Sequence, residues 1–347
     1  MPRYRSAGGV RKIRVVRESE ETSTGDAKPG DRIVAELQIA VRLDAIPGSG
    51  RGGSGLLRAL STAARLGASS VELCAREIVR PSELSDTGLR QLRKMLNDSD
   101  LRVAAVRFQT RRGYDTLDQL ERRVDATKQA MRMAYRIGCP VVINQIGKVP
   151  DPSLIRNAPA AGVEAFTSTS GPDPAGSPDA VGAFVSAAHQ AEIRRWQTLR
   201  SVLDDLGRFG QHVGAILVAE TGTEPGPWLA ELLDATDDAF IGVALNPGQM
   251  IVNRFDVRPA VQALRERIRV VSAVDGVIDL AAGRGLSVPL GRGTADFPEI
   301  IGLLEDAQYR GPYVVGRPAA STGSADRQAD QRAVQELQDA VDYLRNL

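Results

Sequence analysis

Strand-like and helix-like segments alternate along this sequence, and that alternation limits the fold more than any single residue does. From residue 36 the order runs strand 36–43, helix 56–67, strand 69–75, helix 84–100, strand 101–108, helix 116–138 and strand 139–147. After a break it resumes with helix 181–209, strand 214–220, helix 228–235, strand 240–246, helix 257–266 and strand 267–274. Helix 297–308, strand 312–316 and a closing helix 330–347 complete it. The helical segments carry apolar residues three and four apart, such as Leu89, Leu92 and Leu96, and Gly138 closes the long 116–138 stretch as a helix-ending glycine should. A strand joined to the next by a helix pairs with it in parallel, and eight such units close on themselves. The expected fold is therefore α/β, a single (β/α)8 TIM barrel. An open doubly wound sheet would need a glycine-rich phosphate turn after its first strand. GSGRGGSG at 48–55 is the one candidate, and with no acidic residue at the right distance it reads as a flexible connection.

Two segments fall outside the alternation. Residues 1–34 are polar and mixed in charge and read as a loose arm with a short strand around Ile13–Arg17, leaving 35–347 for the barrel. Residues 148–180 hold Pro150, Pro152, Pro159, Pro172, Pro174 and Pro178, an insertion that is either a lid over the site or a disordered surface loop. Composition narrows the partners. Lys plus Arg number 44 against 43 Asp plus Glu, a net charge of +1, which gives no bulk attraction to nucleic acid. Apolar runs such as AILVA (215–219) are far too short to cross a membrane. The amino-terminal segment has basic residues but no apolar stretch behind them, and Cys74 and Cys139 are too few for a disulfide framework. The expectation is a cytoplasmic protein with two reduced thiols and neither nucleic acid nor membrane as a partner.

In such a barrel the site forms at the carboxyl ends of the strands, and alternate side chains face inward. Val218 then leads to Glu220, Ala244 to Asn246, Val270 to Ser272 with Asp275 just beyond, and Val314 to Gly316 with Arg317 next. In the first half the same reading nominates Arg42, Glu72, Arg107 and Asn144. A one-residue slip would invert any of these. Glu220 stands out, because a carboxylate ending an apolar run needs a cation, a proton or donors beside it; it is either chemically engaged or held in a salt bridge to Arg107 or Arg317.

Four segments, in order, resemble the xylose-isomerase-like TIM barrels of the sugar phosphate isomerase/epimerase superfamily. They are VAETGT (218–223), IGVALNPGQM (241–250), RIRVVSAVDG (267–276) and the stretch from PLGRG (289–293) to YVVGRP (313–318). The resemblance covers roughly 54–346. It implies a site in which two Glu, one Asp and one His hold a divalent cation. At those positions this chain keeps only Glu220. Asn246 replaces the Asp, Ser272 the ligand His and Gly316 the second Glu, while Gln249 replaces a nearby His. Asp275 matches an acid near the family's substrate, and Arg317 matches a basic residue after the last Glu.

One carboxylate, an amide, a hydroxyl and a glycine are a poor cage for a dication. The expectation is that the family's metal is not retained and that no cofactor replaces it. Two readings stay open. One is a non-metal, catalytically inactive member that binds a small carbohydrate or sugar acid. The other is an active isomerase or epimerase with a rebuilt site, Glu220 and Asp275 serving as acid and base. Asn246, Gln249, Ser272, Arg317, Arg107, Asn144 and Glu72 are the expected substrate-binding residues in either. Arg317 is the guanidinium expected to reach Glu220. The resemblance also implies a homo-oligomer.

Overall fold

A computed structural model describes residues 13–15, 33–50, 52–156, 178–236, 240–317 and 327–347. Eight parallel strands close into a barrel: β1 (Gln38–Arg42), β2 (Ser70–Cys74), β3 (Arg102–Arg107), β4 (Val141–Asn144), β5 (Ile216–Glu220), β6 (Ile241–Leu245), β7 (Ile268–Ala273) and β8 (Pro312–Val315). β8 pairs with β1 through Val315↔Val41 and with β7 through Val315↔Ala273, which closes the ring. The helices between them are α1 (Gly53–Arg65), α2 (Asp86–Asp98), α3 (Leu120–Ile137), α4 (Pro178–Val213), α5 (Gly226–Asp234), α6 (Val257–Leu264), α7 (Phe297–Asp306) and α8 (Arg327–Arg345). The expected (β/α)8 TIM barrel is the fold observed.

Two apolar layers hold it. Large side chains such as Leu60, Leu73, Met131, Leu203, Leu217 and Phe297 pack between strands and helices. Inside the ring the residues are smaller: Ala40, Ala105, Ile143, Val218, Ala244, Val270 and Val314. A closed eight-stranded barrel leaves just enough interior for side chains to fill. Two positions along the strand from an inward residue lies the next inward one, so Ala40, Ala105, Val218 and Val270 deliver Arg42, Arg107, Glu220 and Ser272 to the carboxyl end.

Three segments add to the sequence reading. The strip 275–288 is an antiparallel hairpin, Asp275–Asp279 against Arg284–Val288, inserted after β7; its turn includes Gly283 at φ +64°. The insertion at 148–180 contains a short helix, Pro152–Arg156, and the start of α4 at Pro178, while 157–177, on which the lid reading depends, lies outside the described residues. Most of the 1–34 arm does too; its strand Ile13–Val15 pairs with Ile33–Ala35. Cys74 and Cys139 are free and buried. Among the described residues no helix is long and apolar enough to cross a membrane.

Candidate functional site: an ion network at the carboxyl ends of the strands

Arg107, from the end of β3, stands at the centre. Its Nη1 donates to both oxygens of Glu220 at 2.7 Å. Its Nε and Nη2 donate to the two oxygens of Glu72 at 2.5 and 3.1 Å, and Nη2 also reaches Ser272 Oγ at 3.1 Å. One planar guanidinium thus clamps carboxylates from β2 and β5 and a hydroxyl from β7, using the fork geometry that an ammonium lacks. Arg42 extends the network: it holds Asp44 through two 2.7 Å bonds, and its Nε lies 3.7 Å from Glu72. Two guanidiniums therefore face three carboxylates.

Glu220 is saturated. Besides Arg107 it accepts from Asn246 Nδ2 at 3.0 Å and Gln109 Nε2 at 3.1 Å, with Ser272 Oγ at 3.4 Å. Burial alone would raise its pKa, but the charge of Arg107, the bonds from Arg107 and the amide of Asn246 outweigh that and hold it below the ordinary carboxylate range. Burial likewise opposes the charge on Arg107, and the two glutamates more than reverse it, so the guanidinium is held firmly charged. The cluster is dry: Glu72 is 0%, Arg107 2%, Glu220 2% and Ser272 3% exposed.

Asn246 has a second duty. It caps the short helix Pro247–Val252, its Oδ1 accepting from the Gln249 amide at 3.0 Å. With the oxygen so engaged, its amide nitrogen faces Glu220. An Asp there would set one carboxylate against another. Gln249 lies on that same short helix, its β- and γ-carbons packed so close to Gly222 that a Cβ there would clash with both.

Other sequence-nominated residues stand apart from this cluster. Ile143, not Asn144, belongs to the interior of the barrel, so β4 is one residue out of phase with the sequence reading. Asn144 faces the helix layer, donating to the Tyr114 hydroxyl at 2.7 Å and accepting from the Thr110 amide at 3.1 Å. Arg317 is not the guanidinium beside Glu220: it makes a two-bond pair with Glu336 of α8 at 2.7 and 2.8 Å and donates to the Ser287 carbonyl. It points outward because Gly316, just before it, sits at φ +118° and turns the chain away from the axis. Asp275 is fully buried, but its oxygens accept four backbone amides, those of Gly276, Gly291, Gly293 and Ala295, at 2.8–3.1 Å. It anchors the 291–295 turn against the hairpin and makes no bond to Glu220.

The sequence reading missed Gln109, Asp44 and Glu224. Asp44 was visible as an acid two residues after a mouth arginine. Glu224, in the loop after β5, is 1% exposed. Its Oε1 has no partner, and Oε2 meets only the Thr223 hydroxyl. That hydroxyl, the one donor that reaches the carboxyl, shares its single proton between Glu224 Oε2 and the Gly147 carbonyl at 3.0 Å. Burial, opposed only by Thr223, pushes the Glu224 pKa up to about 8. Among the described residues no group of three or more His, Cys, Asp or Glu is arranged to hold a metal ion.

A closed parallel barrel with its buried polar side chains gathered at the carboxyl ends of the strands defines a (β/α)8 protein with its site in the position usual for that architecture. The chain belongs to the xylose isomerase-like TIM barrel family, whose model matches residues 60–347. Among solved structures it is similar to a xylose isomerase domain protein from Planctomyces limnophilus, at 17% identity and TM-score 0.64, covering 89% of this chain and 96% of that one. A xylose isomerase-like TIM barrel protein from Mycobacterium smegmatis, in complex with magnesium, gives 15% identity and TM-score 0.57 over 88% and 98% of the two chains. D-allulose 3-epimerase from Methylomonas sp. gives 14% identity and TM-score 0.60 over 90% and 98%. No curated protein matches the sequence. At these identities the solved structures speak for the fold alone, and several of them are named as sugar epimerases.

Proposed function

We propose that this chain is a carbohydrate-binding member of its family, taking a small sugar or sugar acid without metal-dependent turnover. The observation that carries the reading is the position of Arg107, bonded to Glu220 and Glu72 where the family's resemblance calls for a cation. A dication near Glu220 would sit against a guanidinium already 2.7 Å from both carboxylate oxygens, and like charges at that range repel strongly in a dry site. The donor set does not fit the metal: Asn246 offers Glu220 its amide N–H, Ser272 accepts from Arg107, and position 316 has no side chain. A glutamate could not be restored there cheaply. Gly316 has φ +118°, and a Cβ would lie 2.9 Å from Ala45 Cβ and 3.2 Å from Arg42 Cβ.

Proton exchange between two opposed bases, as the resemblance implies for the epimerases, needs two free carboxylates. Here Glu220 is spoken for on both oxygens and Asp275 is filled by backbone amides. The test is metal analysis of the purified protein together with incubation of ketoses in deuterated solvent. The expected result is no stoichiometric divalent ion and no deuterium at the carbon next to the carbonyl. Stoichiometric metal, or deuterium wash-in, overturns the reading.

A further inference from the structure

Beside the ion network, on the same face of the barrel, lies a cavity of about 540 Å³. Its walls come from the segments that follow β2 and β3 and from the first turns of α3, and they carry six arginines: Arg76, Arg80, Arg111, Arg112, Arg122 and Arg123. Asp118 is the one acidic residue lining it. Arg80 pairs with Glu83 at 2.9 Å and Arg112 with Asp118 at 2.8 Å. The other four have no carboxylate partner among the described residues. Arg76 donates to the Gln109 carbonyl, Arg123 to the carbonyls of Thr116 and Asp118, and Arg122 to the Gln119 side chain. Arg123 Nε is buried with no partner at all.

A second observation converges on the same place. The amino end of α3, an 18-residue helix, opens here, and its Ncap residue Gln119, at φ +51°, supplies no side-chain cap. Free N–H groups and the positive end of the helix dipole favour an anion. Gathering like charges without counter-charges costs stability, so the arrangement calls for a ligand that supplies them.

We propose that this cavity binds a small organic phosphate, a phosphomonoester or diphosphate. The volume falls in the range of small-molecule sites, Phe108, Ala75, Pro81 and Ala126 offer apolar wall for a carbon body, and arginine forks match phosphate oxygens in pairs. The net charge of +1 on the whole chain and the small volume of the cavity favour a small molecule over a nucleic-acid backbone. The inference goes beyond the reading of the barrel axis and stands apart from it, since neither metal content nor proton exchange bears on these arginines.

The test is calorimetric titration of the full chain at low and moderate salt with inorganic pyrophosphate, ribose 5-phosphate, glucuronate and a short single-stranded oligonucleotide. Pyrophosphate and ribose 5-phosphate are expected to bind, glucuronate more weakly. The double variant R111A/R122A is expected to weaken phosphate binding by about tenfold or more, from the loss of charge-assisted bonds, and to flatten its salt dependence. Both side chains are exposed, so its melting temperature should match the parent, and R254A, outside the cavity wall, should bind like the parent. Absence of phosphate binding at low salt, equal affinity in R111A/R122A and parent, or an oligonucleotide that outcompetes pyrophosphate overturns the proposal.

Discussion

Glu220 and Glu224 lie four residues apart, at 2% and 1% exposure, and their chemistry is opposite. Glu220 ends β5 facing the axis, where Arg107, Asn246 and Gln109 fill its oxygens and keep it ionised. Glu224 lies past the strand end with one oxygen unpartnered, and burial drives it toward the neutral acid. Burial alone therefore says little about a carboxylate; the donors that reach it decide its charge. The same contrast separates the dry ion network, in which every carboxylate is partnered, from the arginine cavity next to it, in which four guanidiniums have no counter-charge among the described residues.

The largest effect should come from removing the cation on the saturated side of this comparison. Arg107→Met would leave Glu72 and Glu220 buried without the guanidinium they share, with only Arg42 nearby, a loss expected to cost ~3–5 kcal/mol. Urea denaturation measures it. The triple variant R107M/E72Q/E220Q, which takes the charges out together, should recover most of the loss. A single variant as stable as the parent would mean that the network is solvated rather than dry.

Glu224 probes the unsaturated side. With its pKa raised from 4.5 to about 8, the folded protein holds a proton that the unfolded chain sheds as pH rises through 4.5. Stability should fall from pH 4.5 to about 8 on this account and level off above it. Glu224→Gln, which keeps the shape and can donate to Thr223, should flatten that slope and stabilise the fold at pH 7 by as much as ~3 kcal/mol. Glu220 acts in the opposite sense. Its lowered value gives stability that is complete above the ordinary carboxylate range and is lost as pH falls below it. A Glu224→Gln protein with an unchanged pH profile between 5 and 8 would show that the parent carboxyl ionises there at no cost.

Much of the fold was legible because strand and helix periods are local and repeat eight times. The inward phase of most strands was legible too, since one apolar residue fixes every second position: Val218 placed Glu220, and Val270 placed Ser272. β4 defeated the same logic. CPVVIN is apolar on both faces, so alternation does not mark the inner one, and Asn144 turns toward Tyr114. Arg317 defeated it differently. Its neighbour Gly316 takes a backbone conformation that alternation does not foresee. Partner choice was the least legible, because Glu72, Arg107 and Glu220 are distant in sequence and meet only when the barrel closes. The arginine cavity was visible only as the doublets RR at 111–112 and 122–123, which by themselves read as solvated surface.

Two smaller effects test why the carboxyl end of β8 differs from that of β5. Gly316→Ala, at φ +118° and with a Cβ 2.9 Å from Ala45, should destabilise by ~1–3 kcal/mol through backbone strain and crowding. Arg317→Ala should do least. The Arg317–Glu336 pair is bidentate, but each side chain is 31% exposed, and exposed pairs contribute ~1 kcal/mol or less. The change should lower the melting temperature by no more than a few degrees and leave the pH profile set by Glu220 and Glu224 untouched, because Arg317 bonds to neither. A loss comparable to that of Arg107→Met would mean that the guanidinium just after β8, rather than the one on β3, carries the charge balance of the axis.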